Sequence, residues 1–476
     1  MPAKKKTLKV VKQSIEQYIE TTTDKLCNMD FNDLLTALDK IKNTHSTDGN
    51  ENGFNKIRSA FLAKWSDRVT DLLSPSSSPV DVTKIIQECG ALSFAYPPLI
   101  DKCTSLISNA VQSYNVHQLS IIMQGLAKLD YYDAKFMPIC LEELKRDIKI
   151  DDADSHDFST ILWSCAKLRY QDSDFALRWF DVAASKIESF SQEDLCQSIQ
   201  GVAKLEAYNE HFIEGWIDRV NVLGVNLLSP VVKLNNAYYL SMIKLNSADE
   251  NLKLSLDSVI FDFINSVGRK DLITVEDKRQ FLISLNLLPE ENQQILRARE
   301  GLDLAKLRDD VELESMPYVS NLQKRILDKA QDIRFVGEKV TSEHWIEEIL
   351  NHVDLYIDEV KTVIQVDGHQ NHYYRNGSVN ATTNFNTNML SFFGYSIYRG
   401  NDDDLTKSEI RKFLLPIFRA NAVDAGEGKS ESPLKDDAGS NTFDLLISSD
   451  EGGEISFQDD SDIESSASAK VAEGKK

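Results

Sequence analysis

The side chains best suited to chemistry gather in one stretch, TVIQVDGHQNHYY (362–374). An apolar run breaks at Asp367-Gly368 and is followed by His369, His372, Tyr373, Tyr374 and Arg375. Two histidines three apart in a loop after a strand can share a metal ion. The same loop offers aromatic faces and a guanidinium, which suit stacking on bases and pairing with phosphate. Aromatic side chains covering a sheet edge would give the same pattern with no ligand at all. Gly368 supplies the sharp exit from the strand.

The elements around this stretch read as a small α/β unit over 316–423. VDLYI (353–357) and TVIQV (362–366) are short strands joined by a turn at Asp358-Glu359. A helix is expected over 317–333 with Pro317 at its start, and another over 382–394, closed by Gly394. YSIYRG (395–400) is a third strand, and LTKSEIRKFLLPIF (405–418) a last helix.

Before this unit the chain repeats itself. IIMQGLAKL (121–129), ILWSCAKL (161–168), QSIQGVAKL (197–205) and YLSMIKL (239–245) share one frame, as do KIIQECGAL (84–92) and RQFLISL (279–285). The residues Gly90, Ala127, Ala166, Ala203, Ile243 and Ile283 are equivalent anchors, spaced 37, 39, 37, 40 and 40 apart. A weaker copy, LLTALDKI (34–41), precedes them. A helical pattern with this period predicts stacked helix pairs. In the copy around 166, a first helix is expected near 157–168 and a second near 174–187, with Asp172 or Ser173 capping the second. Ile161, Leu162, Cys165, Ala166 and Leu168 form the buried stripe of the first helix, and Ile122, Met123, Leu126, Ala127 and Leu129 the equivalent one. Small anchor residues let the partner helix approach closely. Lys278 and Arg279 fall where the core should be and mark a cap of the stack.

A second recurrence runs seven before, three before and one after each anchor. Steps of four keep side chains on one helix face. Gln87, Gln124, Gln200 and Gln280 recur three before, and Trp163 fills the same slot. Lys128, Lys167, Lys204 and Lys244 recur one after. Amides that read base edges, ammoniums for phosphates and an indole for stacking suit an unpaired RNA strand. A plain solvated face is the alternative, with Lys selected to offset the helix dipole.

Bulk properties set bounds. The chain has 476 residues and a net charge of −22, of which residues 424–476 supply −9 through 14 acids against 5 bases. That tail is expected to be disordered, and its apolar island NTFDLLISS (441–449) is either a random island or a docking motif for a protein partner. The acidic balance argues against non-specific binding of long duplexes, but not against a local basic groove. No apolar run reaches the roughly 20 residues a membrane helix needs, and the basic start without a long apolar stretch leads us to expect no secretory signal. Cys27, Cys89, Cys103, Cys140, Cys165 and Cys196 have no CxxC spacing, so reduced core cysteines in an intracellular, reducing compartment are expected, cytoplasmic or organellar.

The segments VDLYI, TVIQVDGHQNHYY and NMLSFFGYSIYRG resemble the RAP domain, a small RNA-associated module, over about 317–420. In that family a strand-borne Val-Asp precedes EVDG, a His beside an aromatic, a helix, a Gly and a strand. Val353-Asp354, Gln365-Val366-Asp367-Gly368, His372-Tyr373 and Gly394-Tyr395 stand at those places. The helical repeats are similar to octotricopeptide and FAST-kinase-like arrays, which bind RNA. The RAP family is in turn similar to the restriction-endonuclease-like fold, whose site follows D…(D/E)xK. Such a site uses two acids to hold a divalent cation and a Lys to position water. Asp354 matches the first acid, Gln365 stands in place of the second, and Asp367 stands in place of the Lys. Asp367 restores a carboxylate on the same strand face as Gln365. The resemblance therefore implies a degenerate site, with Asp354 and Asp367 as the metal ligands if Mg or Mn binds at all. No Gly-rich loop, HRD or DFG motif supports a kinase.

The expected fold is mostly α: a right-handed α-solenoid of roughly 38-residue helix pairs over 26–300, then a restriction-endonuclease-like α/β domain over 316–423. A basic segment with a first helix over 1–25 precedes them and an acidic tail over 424–476 follows. The expected function is binding of single-stranded RNA in RNA processing, stability or translation, without a cofactor. Gln87, Gln124, Lys128, Trp163, Lys167, Gln200, Lys204, Lys244, His372, Tyr373 and Arg375 are its contacts. The alternatives are a metal-dependent endoribonuclease using Asp354, Gln365 and Asp367, and an α-solenoid scaffold for proteins.

Overall fold

The computed structural model describes residues 18–42, 51–315, 321–333, 340–358, 361–366, 373–400 and 415. Pro317, Asp367, Gly368, His369, His372, the acidic tail and all but residue 415 of the helix expected over 405–418 lie outside them. The described chain is mostly helical, with a small four-stranded mixed sheet near its end. No helix among the described residues is long and apolar enough to cross a membrane.

The helices come in pairs. α1 (Phe31–Lys42) and α2 (Glu51–Leu72) are followed by α3 (Pro79–Leu92) with α4 (Pro97–Asn109), and α5 (Val116–Lys128) with α6 (Phe136–Leu144). After the short α7 (Asp147–Asp152) come α8 (Ser155–Lys167) with α9 (Ser173–Ser185), and α10 (Gln192–Leu205) with α11 (Glu210–Leu223). α12 (Pro230–Asn246) with α13 (Glu250–Asn265), then α14 (Val275–Asn286) with α15 (Glu290–Arg297), lead to α16 (Leu304–Glu314). The first members α3, α5, α8, α10, α12 and α14 pack side by side in that order, and among the second members α2, α4 and α6 pack in sequence, as do α9 and α11.

Local chemistry fixes the start of each of the six first members and the end of the first four. Ser78, Asn115, Asp154, Ser191, Ser229 and Thr274 each cap the start by accepting a first-turn N–H. Such a cap contributes about 1 kcal/mol. At the other end Ser93, Asp130, Arg169 and Glu206 adopt left-handed backbone, with φ of 50°, 51°, 57° and 51°. Each lies three residues past its anchor. The turn is closed by bonds such as Tyr131 N–H to Leu126 O at 2.9 Å and Tyr170 N–H to Cys165 O at 3.0 Å. Helices commonly end this way on glycine. Here no glycine is used, although the conformation costs other residues about 1–2 kcal/mol.

The expected stripes are buried throughout, with Leu129 partly so. Asp172 is the cap of α9, accepting from Phe175 N–H at 2.9 Å. The second members tie back through indoles: Trp179 Nε1 donates to Phe158 O at 3.2 Å and Trp216 Nε1 to Leu195 O at 2.9 Å. Two pairs of first members, α3 with α5 and α8 with α10, meet at glycines. A Cβ on Gly125 would stand 2.7 Å from Ile86 Cγ2 and O, and one on Gly201 would stand 2.8 Å from Leu162 Cβ. These two glycines lie two residues before the anchors Ala127 and Ala203, whereas the anchor Gly90 itself meets α5, where a Cβ on it would stand 2.8 Å from Gly125 Cα. Lys278 and Arg279 do not end the stack, because α16 packs on α14. Lys278 pairs with Asp310 at 2.7 Å and Arg279 donates to Ser315 Oγ at 2.7 Å.

The sheet is ordered β1 (Val340–Ile346), β2 (Asn351–Ile357), β3 (Thr362–Val366), β4 (Ser396–Gly400). β1–β2 and β2–β3 are antiparallel and β3–β4 is parallel. β1 is one strand more than expected. Leu355, Ile357, Ile364 and Val366 on one face pack against Ile326 and Ala330 of α17 (Asn321–Ile333). On the other face Tyr356 and Val363 join the core that is continuous with the helical array. α18 (Ala381–Phe392) crosses between β3 and β4 and packs on α10 and α12.

Candidate nucleic-acid interface

The ladder residues divide into an open half and a closed half. Gln87, Lys128 and Lys167 are exposed, and Gln124, Trp163, Gln200 and Lys204 are half-buried. Lys128 Nζ donates to Gln124 Oε1 at 3.2 Å, which holds neighbouring rungs of α5 together. Further on, Lys244 forms an ion pair with Asp257 and donates to Leu287 O at 2.7 Å. Gln280 is buried and donates to Asn235 Oδ1 at 3.0 Å and Glu276 Oε1 at 3.2 Å. The open face therefore runs from α3 to α10, and Lys244 serves the fold instead.

The residues seven before the anchors do not share that face. Thr83, Ser120 and Ser159 are buried. Ser159 Oγ donates to His156 O at 3.0 Å and to Asp194 Oδ1 at 3.2 Å. The reason is helical drift. At 3.6 residues per turn, eight residues advance by about 80° past two full turns, so the outer rungs of each triplet diverge.

The C-terminal module packs against the C-terminal ends of α8 and α10 and against α12. Tyr374 Oη donates to Lys204 O at 2.5 Å and accepts from Ala381 N–H at 3.1 Å. Burial first, then the Glu206 carboxylate, push its phenol far above the ordinary range. Arg375 N–H donates to Arg169 O at 3.0 Å and its Nε to Leu168 O at 3.3 Å, while its guanidinium lies 4.7 Å over the Tyr132 ring. Burial, followed by Arg169, lowers its pKa. Asn384 Nδ2 donates to Glu206 Oε1 at 2.9 Å and Asn388 Nδ2 to Asn246 Oδ1 at 2.7 Å. Phe385 meets Tyr238 edge-on with ring centres 5.6 Å apart. Arg375 is thus a docking residue, engaged with carbonyls of the array. Tyr373 is half-buried and bridges to Val379.

A cleft of about 280 Å³ opens along this seam, lined by Lys167, Arg169 and Lys204 from the array and by Tyr374, Asn380 and Thr382 from the module, with Asp130 at its side. Lys204 carries a lowered pKa: burial acts first, the Lys167 ammonium second, and Glu276 opposes both.

The expected carboxylate site looks different from a metal cage. Asp354 Oδ2 accepts from Val366 N–H at 2.5 Å and Oδ1 from Gln323 Nε2. The carboxylate so clamps β2 to β3 and to α17. Gln365 is half-buried on β3, paired in register with Arg399 of β4. A second acid escaped sequence reading: Glu343, on β1 between the pairs Ser342–Leu355 and His344–Val353. Burial first and Asp354 second raise its pKa. Among the described residues no group of three His, Cys, Asp or Glu side chains could hold a metal ion.

No protein-family model matches the chain, and no curated protein matches it. Of the residues that sequence reasoning missed, Arg169 and Glu206 had a signal in their fixed distance past the anchors. Glu343 had none.

Proposed function

We propose that the protein binds single-stranded RNA along the face formed by α3, α5, α8 and α10. The observation that carries this is the row Gln87, Gln124, Lys128, Trp163, Lys167, Gln200 and Lys204, in which no residue is fully buried, on helices packed in sequence. Amides and ammoniums at a regular step match a strand whose bases are splayed. Trp163 supplies a stacking surface at mid-row, and base–aromatic stacking contributes about 1–3 kcal/mol. In this reading the array is a right-handed α-solenoid, and the C-terminal module a RAP-like domain of restriction-endonuclease-like descent. The module grips the array through Tyr374 and Arg375 and ends the groove at α10. Stability, processing or translation of transcripts is the role such binding would serve, in an intracellular reducing compartment that suits six free cysteines.

The test is photo-crosslinking of the full chain to 4-thiouridine RNA, followed by mapping of the crosslinked peptides. Adducts in α5, α8 and α10 are expected, with Trp163 among them. Adducts confined to the outer helices α4, α6 and α9 would refute the assignment.

One observation favours a second reading, metal-dependent RNA cleavage. Glu343 stands beside Asp354 with a raised pKa, a carboxylate pair that a divalent cation would relieve. Mn-dependent cleavage abolished by Asp354→Asn, with RNA affinity retained, would establish it.

A further inference from the structure

We propose that the cleft between the array and the C-terminal module is a binding site for a phosphate monoester. Two ammoniums and a guanidinium, from Lys167, Lys204 and Arg169, line it within about 280 Å³. No carboxylate among the described residues lies within ion-pair distance of Lys167 or Lys204, whereas Lys244 in the equivalent place has Asp257. Among the described residues, Glu276 acts on Lys204 in the opposite sense to burial. Asp130 lines the cleft, and Glu206 is already engaged by Asn384 and Tyr374.

The charges oppose one another. Burial and the neighbouring Lys167 both act against the Lys204 ammonium. An anion between them offsets both effects, because an opposite charge favours the ammonium form. A phosphate monoester carries about −1.5 to −2 at neutral pH, and so balances two cations, as an internal diester does not. The first turn of α18 adds to the same field. Asn380 caps Thr383 N–H, and Ala381 and Thr382 form the module's wall of the cleft. The positive end of that helix favours an anion. The volume falls just below the roughly 300–1,000 Å³ of pockets for drug-sized molecules, so an ionic head group fits better than a whole nucleotide.

The inference rests on the RNA reading only for where the phosphate comes from: the end of a strand, or free phosphate. The full chain would be titrated with single-stranded RNA bearing a 5′-phosphate, a 3′-phosphate or neither, and separately melted with inorganic phosphate at constant ionic strength. The variants are Lys167→Gln with Lys204→Gln, and Thr382→Asp, which keeps both lysines and places a carboxylate in the cleft. Preference for one phosphorylated end by at least about tenfold, lost in both variants, is expected. If ends are not distinguished but inorganic phosphate raises the melting midpoint of the wild type alone, the site stands and its ligand is a free phosphate. If neither probe separates wild type from variants, the site is refuted. Salt-sensitive binding of unphosphorylated RNA would then still stand for the groove, and its absence would count against the RNA reading alone.

Discussion

The Tyr374 hydroxyl donates to the Lys204 carbonyl, 170 positions earlier and 2.5 Å away. One bond thus ties the C-terminal module to the end of a ladder helix. Phe at this position keeps the ring and removes the bond. It leaves Lys204 O and Ala381 N–H without this partner in a largely buried seam. Tyr374→Phe is expected to lower stability by about 1–3 kcal/mol in urea denaturation. An unchanged midpoint would mean the seam does not depend on this contact.

The glycine contacts set the spacing of the first helices. Gly125→Ala and Gly201→Ala would bring a methyl within 2.7 Å and 2.8 Å of neighbouring helix atoms. Each should cost about 1–3 kcal/mol, as overpacking does. Gly215→Ala in α11 is the contrast, since its nearest neighbour is 3.4 Å away and belongs to a side chain, Ile187 Cγ2. Helix propensity should make that change neutral or stabilising by up to about 1 kcal/mol. Equal losses at all three sites would contradict the account of close helix approach.

The left-handed caps predict a gain. Ser93 holds φ of 50° at the end of α3, away from the seam. Ser93→Gly should raise stability by roughly 0.5–1 kcal/mol, the relieved strain less glycine's larger unfolded entropy. Thermal melting with the same denaturant slope checks it, and a loss of stability would show that the Ser93 side chain matters more than its backbone.

Acid should weaken the joint between α8 and α10. Burial pushes the Asp194 pKa up, but bonds from Ser191 N–H, Ser191 Oγ, His156 and Ser159 outweigh it and leave the pKa below the usual range. His156 Nδ1 lies 3.3 Å from Asp194 Oδ1. A carboxyl depressed on folding contributes its stability fully above its unfolded pKa of about 3.9 and loses it as pH falls through the folded value. Asp194→Asn should therefore flatten the acid limb of stability against pH, below about pH 4. An unaltered limb would place the acid sensitivity elsewhere.

Much of the array was legible because its signals are local. Capping residues such as Asp172 and the apolar stripe around Ala166 need only neighbours in sequence, and helix limits were placed within two residues. The period of the anchors carried the pairing of helices. The left-handed ends were hidden because Asp130, Arg169 and Glu206 are not glycine. β1 was hidden because VTSEHWI mixes polar and apolar residues without clean alternation. Tyr374 and Arg375 were read as ligand-facing because their partners, Lys204 and Leu168, lie far away in sequence. Lys244 fits the ladder by spacing, yet Asp257 on the partner helix decides its use.

The measurement closest to the central claim is the salt dependence of single-stranded RNA affinity for the wild type and for the triple variant Lys128→Gln, Lys167→Gln, Lys204→Gln. Each phosphate contact adds about 0.7 to the slope of log K against log salt for single strands. The account predicts weaker binding by the variant, with a slope shallower by about 2. Identical affinity and slope for the two proteins, or no salt-dependent binding by the wild type, would contradict it.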